Sequence, residues 1–352
     1  MAAQGLWERH VRSPSSTLRK MVPQLSMKYP VLALLLVWAL LAFVVFTTRS
    51  TVFLGSKNQQ HTASSSIWEQ NPELCRNPQH QSVRNESDDY NAGLAARSPV
   101  RMAKVSVLYG DVDPTYERAL RTHELHNRIH GLRGLVLRDQ VVDGVWNKPA
   151  YILSILADEL RKPPAARLEW LLWVDGDTVV LNPCVPPARF LPPDHMTTPR
   201  INVVVSRDWN GLNNGIFLLR VSAWALELFA AVVGYRRLRP DEPLTFNDQS
   251  AMERLLLEPR FAPAVAYVPQ RWFNAYHAFQ NETLAPERIR RGDFLVHFAG
   301  RPHRRAEMEY WLAVAERHAP DWELEFYRTG YPEEIVAFWN AWYAGRNAAL
   351  DG

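Results

Sequence analysis

Trp170-Leu-Leu-Trp-Val-Asp175-Gly-Asp177-Thr-Val-Val-Leu-Asn182-Pro183 is an apolar run that stops at two carboxylates one residue apart and resumes beyond them. Its first part is too short for an ordinary helix and rich in Trp, Leu and Val, the composition of a buried strand. A buried strand delivers its last residues to the carboxyl edge of a sheet, where open α/β folds bind ligands. Two aspartates there repel each other and resist desolvation, and a hard divalent cation beside them relieves both costs. This reading predicts that Asp175 and Asp177 hold a metal ion and a phosphate-bearing ligand. The plain alternative is an Asp-Gly turn between two strands, and a lone Asp-x-Asp does not separate the two.

Outward from this stretch, strands and helices alternate. Residues 105–109 read as a first strand, ended by Gly110. Asp113 followed by Pro114 is an N-cap with Pro at the first helical position, which predicts a helix over 114–130. Residues 134–138 read as a second strand, and Trp146-Asn-Lys148-Pro149 opens a helix to about Arg161. Further strands are expected at 201–205, 265–268 and 294–298, and Asn213-Asn214-Gly215 reads as a turn into another strand that ends at Arg220. Further helices are expected after Ser222, from Asp248-Gln249-Ser250-Ala251, and over about 305–317 and 333–347. The alternation predicts an α/β domain with a mostly parallel sheet over residues 101–352.

The N-terminal part differs. Residues 1–28 carry Arg9, Arg12, Arg19, Lys20 and Lys28 against Glu8, so the net positive charge comes from there and the remainder sums to about −1. That balance argues against nucleic acid as a partner. Residues 30–48 are apolar and uncharged, at the short end of the roughly 17–25 residues a membrane helix needs, which suits a thinner membrane of the secretory pathway. An uncleaved signal anchor fits better than a cleaved leader, since no small-x-small site follows Phe46. The expected order is a cytosolic tail (1–29), a transmembrane anchor (30–48), a lumenal stem rich in Gln, Asn and Ser (49–100) and a lumenal domain, with type II topology. Asn85-Glu-Ser87 and Asn281-Glu-Thr283 are glycosylation sequons. Two cysteines, Cys75 and Cys184, exclude a disulfide framework; in an oxidising compartment they could form one bridge, which their spacing does not decide.

Other residues could carry chemistry. His297 ends an apolar strand, either as a core histidine or as a third ligand beside Asp177. Gly300 after it would let backbone approach a phosphate, with Arg301, Arg304 and Arg305 to balance charge or simply to face solvent. Asp208-Trp209 and Asn213-Asn214-Gly215 have the composition of a sugar pocket, with Trp209 able to stack on a ring, although Asn-Gly is also ordinary turn chemistry. Asp248 either caps its helix or stabilises positive charge at an anomeric carbon. His123, His126 and His130 share one helical face; with no matching cysteine or glutamate, a polar face is a better reading than zinc.

Four blocks in order resemble glycosyltransferase family 34, the fungal galactosyl- and mannosyltransferases and plant xyloglucan xylosyltransferases. They are Trp173-Val-Asp175-Gly-Asp177 with Leu181-Asn-Pro183, Leu212 to Arg220, Asp248-Gln249-Ser250-Ala251, and His297-Phe298-Ala299-Gly300. The resemblance implies a GT-A fold, a Rossmann-like mixed sheet flanked by helices, and retaining transfer of a hexose from a nucleotide-diphosphate sugar. It implies Mn²⁺ held by Asp175, Asp177 and His297, with Asp248 and Gln249 near the reacting carbon. Trp146-Asn-Lys148 resembles the family's W-x-K; with Tyr109, Asp208, Asn213, Asn214, Gly215, Gly300 and Arg301 it completes the expected nucleotide-sugar set. Two departures stand out: Gly176 offers no side chain to a ribose, and Arg301-Pro302 replaces the Cys-Lys of plant members. The implied donor is UDP-galactose first and GDP-mannose second, the acceptor a glycan or glycoprotein, and the location the Golgi membrane; a homo- or hetero-oligomer is left open by the sequence. The rivals are a catalytically silent lumenal subunit and a phosphohydrolase of the haloacid dehalogenase type, whose D-x-D-x-[TV] the stretch also fits.

Overall fold

A computed structural model describes Cys75 and residues 100–110, 113–193, 200–277 and 285–350. The main sheet is built from β1 (Met102–Val107), β2 (Arg133–Leu137), β3 (Trp170–Val174), β5 (Val203–Asp208), β6 (Gly211–Arg220) and β7 (Val265–Tyr267). Its order is β2-β1-β3-β6-β5-β7. β1 is parallel to β2 and β3, and β5 to β7; β6 alone runs against its neighbours β3 and β5. The sheet is thus mixed through one reversed strand. Every residue of β3 is buried, which is why its sequence shows no polar alternation: both faces are covered. Leu171 and Trp173 enter one apolar layer, Trp170, Leu172 and Val174 the other.

The first layer is closed by α2 (Asn147–Leu160), α3 (Ala223–Leu238) and α4 (Asp248–Leu256), through residues such as Ile152, Leu156, Phe229 and Met252. Ser222 caps α3 by accepting from the Ala225 amide. The second layer is closed by α6 (Tyr331–Leu350), whose Tyr331, Ile335 and Trp339 meet Phe190 and Trp272. The first strand begins earlier than its sequence suggests. Met102–Val105 pair with Trp170–Trp173, whereas Leu108 and Tyr109 leave the sheet to line a cleft.

A second sheet, β4-β9-β8, is made of β4 (Thr178–Val180), β9 (Leu295–His297) and β8 (Ala275–Tyr276). α1 (Pro114–His130) and α5 (Arg304–Ala315) pack over it. Asp113 caps α1 as expected, accepting from the Thr115 amide at 2.9 Å. The three histidines of α1 form neither a solvated face nor a metal site. His123 bonds the Thr178 hydroxyl at 2.8 Å, His126 the Val185 carbonyl at 3.0 Å and His130 the Pro183 carbonyl at 2.8 Å. They clamp the chain that leaves the Asp-Gly-Asp turn. His126 Nδ1 also meets the buried Lys104 Nζ at 2.9 Å, and burial pushes the affinity of Lys104 for its proton well down.

The two cysteines are bridged, with Cα atoms 5.1 Å apart. The apolar run 30–48, the rest of the expected stem through residue 99 and both sequons lie outside the described residues. Among the described residues no helix is long and apolar enough to cross a membrane. The bridge joins positions 109 residues apart, and closing so long a loop restricts the unfolded chain. Replacing both cysteines by alanine is expected to lower unfolding free energy by about 2–5 kcal/mol, read from urea denaturation of the full chain; an unchanged midpoint and slope would remove the bridge from the account of stability.

Candidate active site

The carboxyl edge of β3 opens into a cleft of about 1040 Å³, at the upper end of the volumes that ligand pockets show. The expected metal, catalytic and nucleotide-sugar residues line it: Tyr109, Lys148, Asp175, Asp177, Asp208, Asn213, Asn214, Gly215, Asp248, Gln249, His297, Gly300 and Arg301, whereas Arg305 does not.

The topology explains the convergence. Asp175 ends a strand of the main sheet, and two residues later Asp177 precedes a strand of the small one. His297 ends β9, which pairs antiparallel with β4 so that His297 lies opposite Thr178. Ligand atoms of Asp175, Asp177 and His297 all lie within 4.8 Å of one another. His297 Nε2 faces Asp177 Oδ1 at 3.4 Å, and Arg304 Nε donates to Asp177 Oδ2 at 3.1 Å. Burial disfavours the Asp177 charge, but His297 and then Arg304 outweigh it, so its carboxyl is held below the usual range. Two carboxylates and an imidazole, gathered on an open cleft, fit a divalent cation.

Backbone makes this approach possible. Gly215 lies on reversed β6, where its carbonyl accepts from the Asp175 amide at 2.9 Å. A Cβ there would stand 2.1 Å from His297 Cε1, so only glycine leaves room for the ring. Gly300 has a left-handed backbone (φ 64°) with open space where a side chain would start, as a backbone contact to an anion requires.

Lys148 lies behind the carboxylates. Its Nζ donates to Asp175 Oδ1 at 3.1 Å, the Asn214 carbonyl at 2.5 Å and Asn214 Oδ1 at 3.1 Å. Trp173 Nε1 donates to the same Asp175 oxygen at 2.7 Å. Asn214 passes the order on: its Nδ2 donates to Asp248 Oδ2 at 3.0 Å and its amide to Gln249 Oε1 at 3.2 Å. Asp248 is therefore not the cap of α4. Asn247 holds that position, with φ 49°, and turns Asp248 inward. Burial raises the Asp248 proton affinity, with Lys148 and Asn214 pulling against it.

The remaining expected residues take varied places. Tyr109 presents its ring to the cleft while its hydroxyl bonds Asn147 and the Gly144 carbonyl. Asp208 accepts from Asn213 Nδ2 at 2.9 Å and from Tyr276 at 2.5 Å, so its carboxylate is engaged inside the protein. Arg301 forks onto Glu307, Arg305 pairs with Asp113, and Arg304 is the arginine that reaches the carboxylates. Sequence reasoning missed Asn274 and Tyr276, which back His297 and Asp208, and Phe246, which joins exposed Trp209 along the cleft. Only the aromatic residues left a signal, as apolar side chains that the helix and strand patterns did not use.

A sequence-family model described as the galactosyl transferase GMA12/MNN10 family matches residues 190–306. An alpha-1,2-galactosyltransferase of Schizosaccharomyces pombe is 24% identical over 206 residues, covering 48% of this chain and 52% of that one. Xyloglucan 6-xylosyltransferase 1 of Arabidopsis thaliana is 30% identical over 154 residues, 38% of this chain and 32% of that one. The chain spans about half the length of the curated galactosyltransferase relatives it matches first. Among solved structures, a glycosyltransferase involved in glycosylation of the major capsid of PBCV-1 aligns with a TM-score of 0.46 at 18% identity, over 59% of this chain and 98% of that one. The matched segment holds three of the four sequence blocks, those at Leu212, Asp248 and His297, and the fourth, at Asp175, meets them in the cleft. Residues 190–306 of the chain are thus similar to the galactosyl transferase GMA12/MNN10 family, and the matched relatives are galactosyl- and xylosyltransferases of about 24–30% identity.

Proposed function

We propose that the chain is a retaining hexosyltransferase that moves galactose, or as second choice mannose, from a nucleoside-diphosphate sugar to a glycan acceptor. The observation that carries this reading is the convergence of Asp175, Asp177 and His297 within 4.8 Å on a cleft that also presents Asp248 and Gln249. Asp175, Asp177 and His297 would hold a divalent ion, Mn²⁺ on family grounds, which when bound would supply positive charge for a leaving diphosphate.

The protein's own groups do the rest. Arg304 brings a second cation to the phosphate side, and the Gly300 backbone lies open beside it. Asp248 and Gln249 face the cleft from α4, fixed by Asn214, and place negative potential where an oxocarbenium-like carbon develops. With these groups in place, two routes give retention: a leaving phosphate that deprotonates the acceptor on the same face, or a covalent intermediate on a protein carboxylate. For the acceptor side, Trp209 is 85% exposed at the β5–β6 turn, and Phe246, 43% exposed, lines the same cleft. Aromatic rings left in water beside polar side chains suit the apolar face of a sugar.

Lumenal placement in the Golgi, behind a type II anchor, is part of the same proposal. It is supported by the charge-free run 30–48 and by the Cys75–Cys184 bridge, since disulfides persist in oxidising compartments.

Nucleoside diphosphate release by the full chain in detergent, with a panel of UDP- and GDP-sugars, glycan acceptors and Mn²⁺, tests the reading. UDP-galactose is expected to be the best donor, chelation to abolish turnover, and Asp177→Asn to lower kcat by about 100-fold or more, as several kcal/mol of lost charge stabilisation requires. No release with any donor would favour a silent subunit. Trp209→Ala is expected to raise KM for the acceptor about tenfold, the loss of one stacking contact of roughly 1.4 kcal/mol, with KM for the donor unchanged. A rise confined to the donor would place the indole against the nucleotide instead.

A further inference from the structure

We propose that Asn274 is a positioning residue that fixes the proton of His297 on Nδ1 and so reserves Nε2 for a metal ion. The inference rests on the metal site proposed above. It comes from the direction of a buried hydrogen-bond chain that is fixed at its Asn213 end.

At one end, Asn213 is locked by partners of single character. Its Oδ1 accepts from the Gly215 backbone amide at 2.9 Å, and its Nδ2 donates to the Asp208 carboxylate at 2.9 Å. An amide N–H can only donate and an ionised carboxylate can only accept, so the Asn213 side chain has one orientation. Asn274, fully buried, lies 3.0 Å from that same Asn213 oxygen. It must present Nδ2 there, since its own oxygen would put two acceptors face to face. The Ser206 hydroxyl, 2.9 Å away, accommodates this by accepting as well. The other end of the Asn274 amide is then an oxygen, 2.7 Å from His297 Nδ1. That contact is a hydrogen bond only if Nδ1 carries the proton.

The consequence appears on the far side of the ring. Whenever His297 holds a single proton, its Nε2 lone pair points at Asp177 Oδ1, 3.4 Å away. Two acceptors at that separation repel unless a cation lies with them. The reverse tautomer would instead close a neutral hydrogen bond from Nε2 to Asp177 and fill the site with its own proton. The orientation of Asn274 thus favours an ion-binding cleft over a self-satisfied His–Asp pair. Such carboxamide or carboxylate support behind a ligating imidazole raises its basicity and sets its ring plane.

The test is Mn²⁺ binding to the full chain in detergent, without nucleotide, followed by titration of the EPR signal of free Mn²⁺ and by the histidine-nitrogen coupling of the bound ion. Asn274→Ala is expected to weaken binding by about 10–100-fold and to diminish that coupling. Asn274→Asp keeps an oxygen facing Nδ1 and is expected to recover most of both, although it loses the bond to Asn213 and lowers thermal stability. A purely architectural role predicts the opposite order, with buried Asp at least as harmful as Ala. Wild-type binding that Asn274→Ala leaves intact, or that Asn274→Asp fails to recover, overturns this inference alone. Failure of the wild type to bind Mn²⁺ overturns the metal site and this inference together.

Discussion

The candidate site depends on one buried ammonium group. Asp175, Asp177 and Asp248 converge on one cleft, where repulsion and desolvation would scatter or protonate them. Lys148 answers on the inner side. It holds one oxygen of Asp175 and both oxygens of Asn214, and through Asn214 it reaches Asp248. Trp173 and Phe217 put their rings near the same ammonium, at 5.2 and 5.9 Å, and a cation facing aromatic rings loses less on leaving water. Arg304 answers on the outer side, against Asp177. The inner charge is built into α2 and the outer one is half exposed at the start of α5, so the two differ in how readily they can yield to an anionic ligand.

The fold places these charges by splitting one stretch of chain between two sheets. β3 ends in the main sheet, the Asp-Gly-Asp turn crosses the gap, and β4 starts the small sheet. The crossing is held from both sides: reversed β6 bonds the Asp175 amide, and the α1 histidines grip residues 178–185. His297 then arrives from a strand paired to β4. A turn so braced can keep two carboxylates close before any ligand arrives, which is what preorganisation means here.

Much of this was legible in the chain because local rules wrote it. The apolar run that stops at Asp175, the Asp113-Pro114 start of α1 and the Ser222 cap each act within a few residues. The grouping of Asp175, Asp177, His297 and Asp248 was legible through block order. What stayed hidden were pairings across long separations. Nothing near Asn274 tells that its oxygen meets His297, and nothing in the spacing of His123, His126 and His130 distinguishes carbonyl clamps from a solvated face. Local reading left Asp248 open between a helix cap and a cleft carboxylate, because carboxylates at helix starts usually cap. The left-handed Asn247 one residue earlier gave no sign in sequence that it would take that place.

The Cys75–Cys184 bridge also decides how the domain bears load. Residues 76–183 form a covalently closed loop, so the backbone at Val100 is not the mechanical entry to the fold. Tension applied anywhere upstream of Cys75 has a direct path through the sulfurs to Cys184, two residues beyond Asn182. Asn182 is itself tied to the Gly292 and Leu324 carbonyls at 2.7 and 2.9 Å, and Cys184 is buried. A pull transmitted from that side would therefore be taken up by the base of the small sheet, leaving β1 and the cleft it borders in the lee of the force.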